Sequence, residues 1–550
     1  MLITAPVWLA SGPHVVGESA GLDLTGSYWA HWWAADALSR GVSPFVGTHS
    51  FYPTGSTPVL QYNLLDGIVH APLVASFGPR VGYNLACVAA LWLTGVAAHR
   101  LGRSAGTSRS AALLTGVLVQ SSSYVALELH CGRISQVVLV FFLLALSLTV
   151  DVLSGRGRTL KAVGAGVLAG GAALVYWYHG AALLLVGMGL VWSHRHALGG
   201  PQARALMVAV ASGAAVVGPA LAMLVTSWAD LPGIERTDAA GIIEANSRGI
   251  LWPVVNLDPV FGHQLSGAAL GLAALAVYRR ARHWGVWLGV AALGWVLALG
   301  PGGSVWLPFD GLQRMVPGFD RMWWPYRLEV LAVVAVAVLA GLGLDRWLQN
   351  RSRPRVWTGL VLVAVWVDAP LRSGLLPVTA SEVFAPSERT YRDLSGPLLT
   401  VPLQPSAVEV ERMMLAQTVH EQPIPVGDGA HLPSHVPPAH RDWLTSNGLL
   451  RLLATLERTG NAQGVVTPAD VNQLVADGFR YAVVDPDVMD GGAAMARAAA
   501  YSEIFRALWG DAVRPARGGG AWAISALAAD VELSVAVRQG PGRSGRRRTR

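Results

Sequence analysis

Apolar stretches of roughly the length that crosses a bilayer recur along most of the chain, and this pattern constrains the fold more than any other feature. Crossing a bilayer as an α-helix takes about 20 mainly apolar residues, and a helix satisfies its own backbone hydrogen bonds in lipid. The candidate spans lie at 81–98, 111–127, 134–153, 162–177, 180–192, 205–227, 265–278, 284–300, 328–344 and 356–371. Only 14% of the residues are charged, against about 25% in soluble domains. The sequence therefore predicts a mainly α polytopic membrane protein and excludes an ordinary soluble enzyme.

Arginines predict the orientation of the spans, because short cytoplasmic loops retain positive charge. One set of alternate loops, 99–110, 154–161, 193–204, 279–283 and 345–355, carries 15 positive residues. The opposite loops after residue 127 carry six. We therefore expect the first set to face the cytoplasm. The segment 11–80, the loops 228–264 and 301–327, and everything after 372 are then expected on the extracytoplasmic side.

The charge and the cysteines exclude several other classes of protein. The formal net charge is +7, but six arginines lie in the last thirteen residues, so the basic balance does not indicate nucleic-acid binding. Cys87 and Cys131 have no zinc or haem spacing, so neither a metal-thiolate site nor a disulfide framework is expected. No phosphate loop, dinucleotide fingerprint or nucleophile elbow occurs.

Composition divides the chain into four predicted regions. Residues 1–80 form a first extracytoplasmic loop, and its apolar start, 1–10, is expected to be the remnant of a first transmembrane helix. Residues 81–372 form a bundle of about ten spans, as counted from the hydropathy pattern. Residues 376–537 predict a small extracytoplasmic α/β domain, with strands in 397–403 and 481–485 and helices at 468–477 and 493–509. The tail 538–550 is expected to be disordered.

The first loop carries an acidic residue beside a cluster of aromatic residues. Trp29, Trp32 and Trp33 have the spacing of a short helix over 29–39, which favours a helix lying in the headgroup zone. Asp23 precedes it, and a carboxylate next to an apolar membrane face is costly unless it is solvated or paired. Two interpretations stand: Asp23 caps the following helix, or it is a general base.

Three further groups of polar and aromatic residues lie at the outer ends of the predicted spans. Glu128, His130 and Arg133 form either a satisfied polar turn or one wall of a site. Arg321, Trp324 and Arg327 lie where arginine runs against the positive-inside bias, so they either anchor lipid headgroups or bind the phosphate of a lipid-linked substrate. Tyr176 and His179 either line the same cavity or belong to an interfacial aromatic belt.

The segment Asp485-Pro-Asp487 follows a predicted strand. It indicates a strand-end turn rather than a metal site.

The order of motifs along the chain resembles one membrane-protein family. Gly21 and Asp23, Gly41 with Pro44 and Phe45, Tyr52 with Pro53 and Gly55, Tyr83 with Asn84, then Gly300 with Pro301, Leu307 with Pro308, the turn 317–327 and the run 339–343 occur in that order. Together they resemble the bacterial multi-pass glycosyltransferases of the GT-C superfamily. The resemblance covers most of 20–372 and, more loosely, 376–535.

This resemblance implies a function and a set of roles. Its members use a polyprenyl-phosphate sugar as donor, and an acid in the first outer loop deprotonates the acceptor hydroxyl; Asp23 is the matching position, with Glu128 as a second candidate acid. Arg321 or Arg327, helped by Arg133, is expected to stabilise the departing lipid phosphate. The implied acceptor is an envelope glycan, lipid or protein, and the implied location is the bacterial cytoplasmic membrane. We expect no required cofactor, with a divalent metal as the open alternative.

Three other functions are compatible with the sequence. A flippase or secondary transporter is also polytopic, but it usually shows internal repeats and polar residues near the midplane of broken helices. A non-catalytic envelope scaffold fits a degenerate site. An O-antigen ligase or polymerase also uses lipid-linked sugars; its large central outer loop would correspond to 228–264, which is modest in size.

Overall fold

A computed structural model describes most of the chain as two compact units. The described residues are 14–18, 22–55, 64–156, 159–196, 198–226, 265–301, 307–316, 319, 322–349, 351–373, 380–382, 388–391, 393–432, 436–516, 519–525 and 533–538. The first unit comprises 1–19, 63–226 and 234–381, and the second comprises 20–62, 227–233 and 382–550. The predictions for residues 1–10 and for most of the basic tail lie outside the described residues.

The described elements are mainly helices. In chain order they are α1 (Leu22–Ser39), α2 (Leu65–Ala105), α3 (Arg109–Gln120), α4 (Ser123–His130), α5 (Ile134–Val137), α6 (Val140–Asp151), α7 (Thr159–Val175), α8 (Trp177–His194), α9 (Gly200–Thr226), α10 (Gly267–Tyr278), α11 (Trp284–Ala298), α12 (Pro308–Met315), α13 (Val330–Leu348), α14 (Pro354–Ser373), α15 (Glu388–Tyr391), α16 (Ala407–His420), α17 (Pro438–Ser446), α18 (Gly448–Thr459), α19 (Pro468–Ala476) and α20 (Ala494–Trp509). The strands are β1 (His14–Val16), β2 (Ala380–Glu382), β3 (Leu398–Val401), β4 (Asn461–Val466), β5 (Tyr481–Val484), β6 (Arg514–Ala516), β7 (Gly519–Ala523) and β8 (Leu533–Arg538).

The first unit is a bundle of apolar helices, and a helix lies at each of the ten spans predicted from hydropathy. Among the described residues, five helical segments are long and apolar enough to cross a membrane by length and composition: Leu65–Ala105, Arg109–His130, Ile134–Arg156, Gly200–Met223 and Pro325–Leu348. Thr159–Val175, Gly267–Tyr278 and Trp284–Ala298 are shorter apolar helices. The prediction of a mainly α, multi-pass membrane protein is confirmed.

Helix α13 lies at the centre of this bundle. All of its residues from Val330 to Leu344 are buried, which is the pattern of a helix that is apolar all round. Close approach of its neighbours depends on glycine: a Cβ added at Gly343 would lie 1.9 Å from the carbonyl oxygen of Leu272 on α10. Helix α9 differs, because most of its apolar surface is exposed and available to lipid.

The second unit contains the predicted α/β domain. Strand β3 pairs in parallel with β5, and β7 pairs antiparallel with both β5 and β6, which gives the order β3-β5-β7-β6. Helix α19 begins at a capping box in which Thr467 and Asp470 satisfy each other's backbone N–H groups. The strands predicted in 397–403 and 481–485 and the helices predicted at 468–477 and 493–509 are all present.

Composition groups residues 1–80 as a region of their own, whereas the structure assigns 20–62 to this second unit and the remainder to the first unit. Helix α1 packs on α16 of the α/β domain. Trp29, Trp32 and Trp33 are all buried. The interfacial helix expected over 29–39 is therefore wrong: the helix starts at Leu22, and its tryptophans form protein core instead of contacting lipid headgroups.

Candidate functional site

The turn after α4 in the membrane unit brings an acidic and a basic side chain together. Ser122 caps α4 by accepting a hydrogen bond from the N–H of Val125, and Gly132, at φ 73°, reverses the chain after the helix. This reversal returns Arg133 to Glu128: its N–H donates to the Glu128 carbonyl at 2.8 Å, and its Nη1 lies 3.2 Å from Glu128 Oε2. The Glu128 side chain is fully buried, so it depends on this partner.

A second arginine approaches the same carboxylate from the 3-10 turn Pro325–Glu329, directly before α13. Arg327 Nε lies 4.0 Å from Glu128 Oε1, and Arg327 is buried. The Tyr326 hydroxyl links the two arginines, because it accepts from Arg133 Nη1 at 2.9 Å and from Arg327 Nε at 3.3 Å. Two guanidinium groups therefore share one carboxylate in a buried environment.

Aromatic rings surround the Arg327 guanidinium. Its Cζ lies 4.3 Å from the ring centroid of Trp324, 5.6 Å from that of Tyr176 and 5.9 Å from that of Tyr178. Its Nη1 donates a hydrogen bond of 2.6 Å to the Tyr176 hydroxyl. A guanidinium stacks readily on aromatic faces, so these rings help to fix its position.

A break between two helices supplies the tyrosines. Tyr176 has an extended backbone (φ −162°, ψ 118°), which separates α7 from α8. The break turns Tyr176 and Tyr178 into a stacked pair with ring centroids 5.1 Å apart. The Tyr178 hydroxyl accepts a hydrogen bond of 2.9 Å from the N–H of Trp324, so the break also fixes the start of the 3-10 turn.

Several buried polar atoms near this cluster have no hydrogen-bond partner among the described residues. They are the Tyr124 hydroxyl, Glu128 Oε1, and both ring nitrogens of His179. The His179 ring packs edge-on against Tyr176 at 5.1 Å. Because buried polar groups ordinarily hydrogen-bond, these atoms are positions that a polar ligand can satisfy.

The remaining candidate residues lie elsewhere. His130 Nε2 is 2.8 Å from Glu18 Oε2, and the Glu18 N–H donates to the His130 carbonyl, so this histidine contacts Glu18 instead of joining the arginine pair. Arg321 lies outside the described residues. Asp23 is exposed in the first turn of α1, in the second unit.

The helix that carries Asp23 is held by buried hydrogen bonds within its own unit. Trp29 Nε1 donates to Gln417 Oε1 at 2.7 Å, and Gln417 Nε2 donates to the His49 carbonyl at 2.6 Å. Burial, with a smaller contribution from the Arg40 charge, lowers the pKa of His49 to about 4. At neutral pH this core is uncharged at His49, and α1 is attached to α16 on the α/β domain.

Sequence reasoning missed three members of the arginine cluster. Tyr326 and Tyr178 lie inside the motifs that contain Arg327 and His179, so their positions were visible in the sequence. Tyr124 lies four residues before Glu128 on α4, a spacing that places both on one helix face.

At Asp485, the N–H of Asp487 donates to Oδ1 at 3.1 Å, which confirms the predicted strand-end turn. No group of three or more His, Cys, Asp or Glu able to hold a metal occurs among the described residues.

Counted over Glu128, Arg133 and Arg327, the charge of the cluster is positive. Glu128 supplies one negative charge and ion-pairs with Arg133 and Arg327, which supply two positive charges. The Arg133 side chain remains 16% exposed. Guanidinium forks match the geometry of phosphate oxygens, so the arrangement is suited to a phosphate group.

Comparison with solved structures identifies the fold. Residues covering 88% of this chain superpose on 36% of arabinofuranosyltransferase AftD from Mycobacteria, with a TM-score of 0.51 and 18% sequence identity. This is the GT-C fold. This chain spans about a third of the length of AftD.

Two other GT-C structures show weaker similarity. ArnT from Cupriavidus metallidurans, bound to undecaprenyl phosphate, matches 88% of this chain over 95% of its own, with 15% identity and a TM-score of 0.49. The oligosaccharyltransferase AglB from Archaeoglobus fulgidus, in complex with an inhibitory peptide and a dolichol-phosphate, matches 90% of this chain over 70% of its own, with 11% identity and a TM-score of 0.45. No protein-family model and no curated protein sequence matches the chain.

Proposed function

We propose that this protein is an integral membrane glycosyltransferase that moves a sugar from a polyprenyl-phosphate donor to an envelope acceptor. The acceptor is a glycan, a lipid or a protein. The reaction takes place on the extracytoplasmic side of the bacterial cytoplasmic membrane, the side that the arginine distribution assigns to Asp23, Glu128 and Arg327. The GT-C fold and the arginine cluster support the proposal.

The observation that carries the proposal is the pairing of two buried or half-buried arginines with one carboxylate. Arg133 and Arg327 are held by Glu128 and Tyr326, so their guanidinium groups are in place before a ligand binds. The uncompensated positive charge favours a phosphate oxygen, and it favours that oxygen most when negative charge develops on it as the sugar leaves. Glu128 then acts on the reaction by positioning the two arginines.

The transfer step uses one bond made and one bond broken. The acceptor oxygen attacks the anomeric carbon, its proton passes to the Asp23 carboxylate, and the bond between that carbon and the phosphate oxygen breaks. Polyprenyl phosphate leaves with the electron pair, and the configuration at the sugar inverts. General-base catalysis of this kind contributes about 10²–10⁴ in rate. Asp23 is exposed, as a base that meets a separate acceptor must be.

No metal is required in this proposal. Lipid phosphate is already a fair leaving group, and two guanidinium groups neutralise the charge that develops on it. Trp324, Tyr176 and Tyr178 present aromatic faces around Arg327, and such faces also suit a sugar ring or an isoprenoid tail. His179 is proposed to line the same donor site, and Arg321 stays a candidate for binding the lipid phosphate from its sequence motif alone.

Mass spectrometry of envelope glycans and lipid-linked sugars tests the function in the native host. The strains carry the gene deleted, restored, restored as Asp23→Asn, or restored as Asp511→Asn, an exposed aspartate of the α/β domain that serves as control. All proteins are compared at matched levels in the membrane. We expect the deletion and Asp23→Asn to lose the same sugar from one acceptor while its polyprenyl-phosphate donor accumulates.

Two outcomes contradict the proposal in different ways. If the deletion changes the glycans but Asp23→Asn does not, Asp23 is structural, and a transporter or scaffold explains the phenotype better. If the deletion leaves every lipid-linked sugar at its wild-type level, the chain does not consume such a donor, and the transferase function is wrong.

A further inference from the structure

A second cluster of charge lies in the membrane unit, at the end of α2, the end of α6 and the start of α7. Asp151 is its centre, and its side chain is only 4% exposed. Arg100 Nη2 and Lys161 Nζ lie 2.7 and 2.9 Å from the same oxygen, Oδ2, and Arg156 Nη2 lies 3.3 Å from Oδ1. Three cations therefore share one buried carboxylate, and both of its oxygens are occupied.

The cations are fixed by other hydrogen bonds. Arg156 Nη2 donates to the Ser104 carbonyl at 2.6 Å, and Arg100 Nη1 donates to the Ser104 hydroxyl. The Ser104 and Ser147 hydroxyls are 2.8 Å apart, which ties α2 to α6 at this level. Gly155, at φ 72°, turns the chain after α6 so that Arg156 returns to the helix ends. The cluster is thus ordered without a ligand.

The positive charge of this cluster exceeds what Asp151 balances. Arg100, Arg156 and Lys161 are 39%, 50% and 37% exposed, so each has surface left for another partner. The two sequence segments that meet here, 99–110 and 151–161, hold six Arg or Lys residues and one acid. Like charges held this close repel one another, and a bound anion removes that cost.

Helix geometry points the same way. Lys161 lies in the first turn of α7, where the helix dipole already presents positive charge. A lysine at that end is unfavourable by itself, whereas a phosphate there is stabilised by both the dipole and the lysine. The cluster and the helix start therefore favour the same ligand.

We infer that this cluster, defined by Arg100, Arg156 and Lys161 around Asp151, binds the phosphate group of an anionic phospholipid. The chemistry recognised is a phosphate oxygen set, and the source is the bilayer, because the cluster lies at the ends of three apolar helices of a membrane bundle. The site is separate from the Glu128 cluster and does not rest on the proposed enzymatic function.

Lipid titration of the purified full-length protein in detergent tests this inference. The protein is titrated with phosphatidylglycerol, with phosphatidylcholine, or with inorganic phosphate, and the half-saturating concentration is read from the shift in thermal unfolding temperature. Native mass spectrometry counts the retained lipids. We expect phosphatidylglycerol to bind and stabilise, phosphatidylcholine to have little effect, and inorganic phosphate to compete only weakly.

Single substitutions test whether the three cations of the cluster bind the lipid. Arg156→Ala and Lys161→Ala should each weaken phosphatidylglycerol binding about fivefold, the effect of one removed charge near an anionic lipid. Asp151→Asn should tighten it, because three cations then lack their carboxylate. Arg355→Ala, at an exposed position near the start of α14, should leave binding unchanged. A variant that unfolds at a lower temperature without lipid still yields a half-saturating concentration.

Three results overturn the inference. Equal binding of phosphatidylglycerol and phosphatidylcholine removes phosphate recognition. Equal loss in Arg355→Ala and Arg156→Ala shows a general charge effect. Binding of inorganic phosphate as tight as that of the lipid makes the ligand a soluble anion, and the bilayer is then not its source.

Discussion

Arg327 donates a hydrogen bond of 2.6 Å from Nη1 to the hydroxyl of Tyr176 and so joins the 3-10 turn before α13 to the break between α7 and α8. The bond is buried, and one partner carries a full charge. A hydrogen bond to a charged group contributes about 1.5–3 kcal/mol. Loss of this bond therefore has a measurable effect on the position of the guanidinium.

Tyr176→Phe removes only that hydroxyl. We expect the rate of sugar transfer from the polyprenyl-phosphate donor, measured in reconstituted vesicles, to fall about 10- to 100-fold because Arg327 is no longer aligned. The transfer rate of Arg327→Lys should be lower still, since an ammonium group cannot contact Tyr176, Tyr326 and Glu128 together. Tyr278→Phe, at an exposed tyrosine of the same unit, is the control. A wild-type rate in Tyr176→Phe would show that the bond is structural.

Glu128→Gln separates positioning from catalysis. The substitution leaves two guanidinium groups without their carboxylate in a buried environment, which costs about 3–5 kcal/mol in comparable pairs. We expect the thermal unfolding temperature to fall, with transfer activity lost in parallel. Glu503→Gln, on the exposed surface of α20, should change neither. A Glu128→Gln protein with the wild-type unfolding temperature and no activity would instead make Glu128 a catalytic group.

Composition predicts where the helices lie, but it does not predict which residues far apart in the sequence contact each other. Apolar runs predicted a helix at every span because lipid leaves the backbone no other way to satisfy its hydrogen bonds. The pairing of Trp29 with Gln417 joins residues 388 positions apart, and nothing in either local sequence indicates it. The tryptophans were for that reason assigned to the headgroup zone, where aromatic residues are also common.

The candidate site was predictable in its parts. Glu128, Arg133 and Arg327 were identified because charges beside a membrane need a partner or a function, and the structure brings these three together. His130 has the same kind of sequence environment, yet it contacts Glu18, which a one-dimensional pattern does not reveal. The placement of Asp23 depends on tertiary packing of α1 on α16, which sequence periodicity does not encode.

Gln417 supports the helix that carries Asp23. Gln417→Leu removes the acceptor of the Trp29 indole N–H and one of two hydrogen bonds to the His49 carbonyl, which still accepts from the Ile424 N–H at 2.9 Å. Loss of such a buried hydrogen-bond partner costs about 1–3 kcal/mol. We expect faster limited proteolysis within residues 40–55 and a lower transfer rate, because α1 is less firmly held. Glu503→Leu is the surface control. Unchanged proteolysis would show that α1 is held by the tryptophan packing alone.

Gly343 sets the distance between α13 and α10. In Gly343→Ala the new Cβ meets the Leu272 carbonyl oxygen at 1.9 Å, so the two helices must separate or bend. Overpacking of this kind costs about 1–3 kcal/mol, and we expect a lower unfolding temperature in detergent. Gly289→Ala on α11 is the matched control, since nothing lies within 4 Å of its Cβ. Equal unfolding temperatures for the two variants would contradict close helix packing at Gly343.

The burial of His440 is expected to make the α/β domain sensitive to acid. It is buried between Phe51 and Trp443, with ring centroids 5.3 and 5.0 Å away, and burial lowers its pKa from 6.5 to about 4. The depressed pKa means that the folded state holds His440 neutral while the unfolded state binds a proton below pH 6.5. The contribution of His440 to the free energy of unfolding is therefore complete above pH 6.5. It is lost as the pH falls towards 4, by an amount on the order of 3 kcal/mol.

His440→Gln should remove part of this dependence. We expect the difference in unfolding temperature between pH 7.5 and pH 4.5 to shrink relative to the wild-type protein, because glutamine does not titrate in that range. Some acid sensitivity remains, since burial also lowers the pKa of His420, to about 3. His196→Gln, at an exposed position, should keep the wild-type difference. If His440→Gln keeps it too, protonation of His440 does not govern acid unfolding, and His49 and His420 become the groups to substitute.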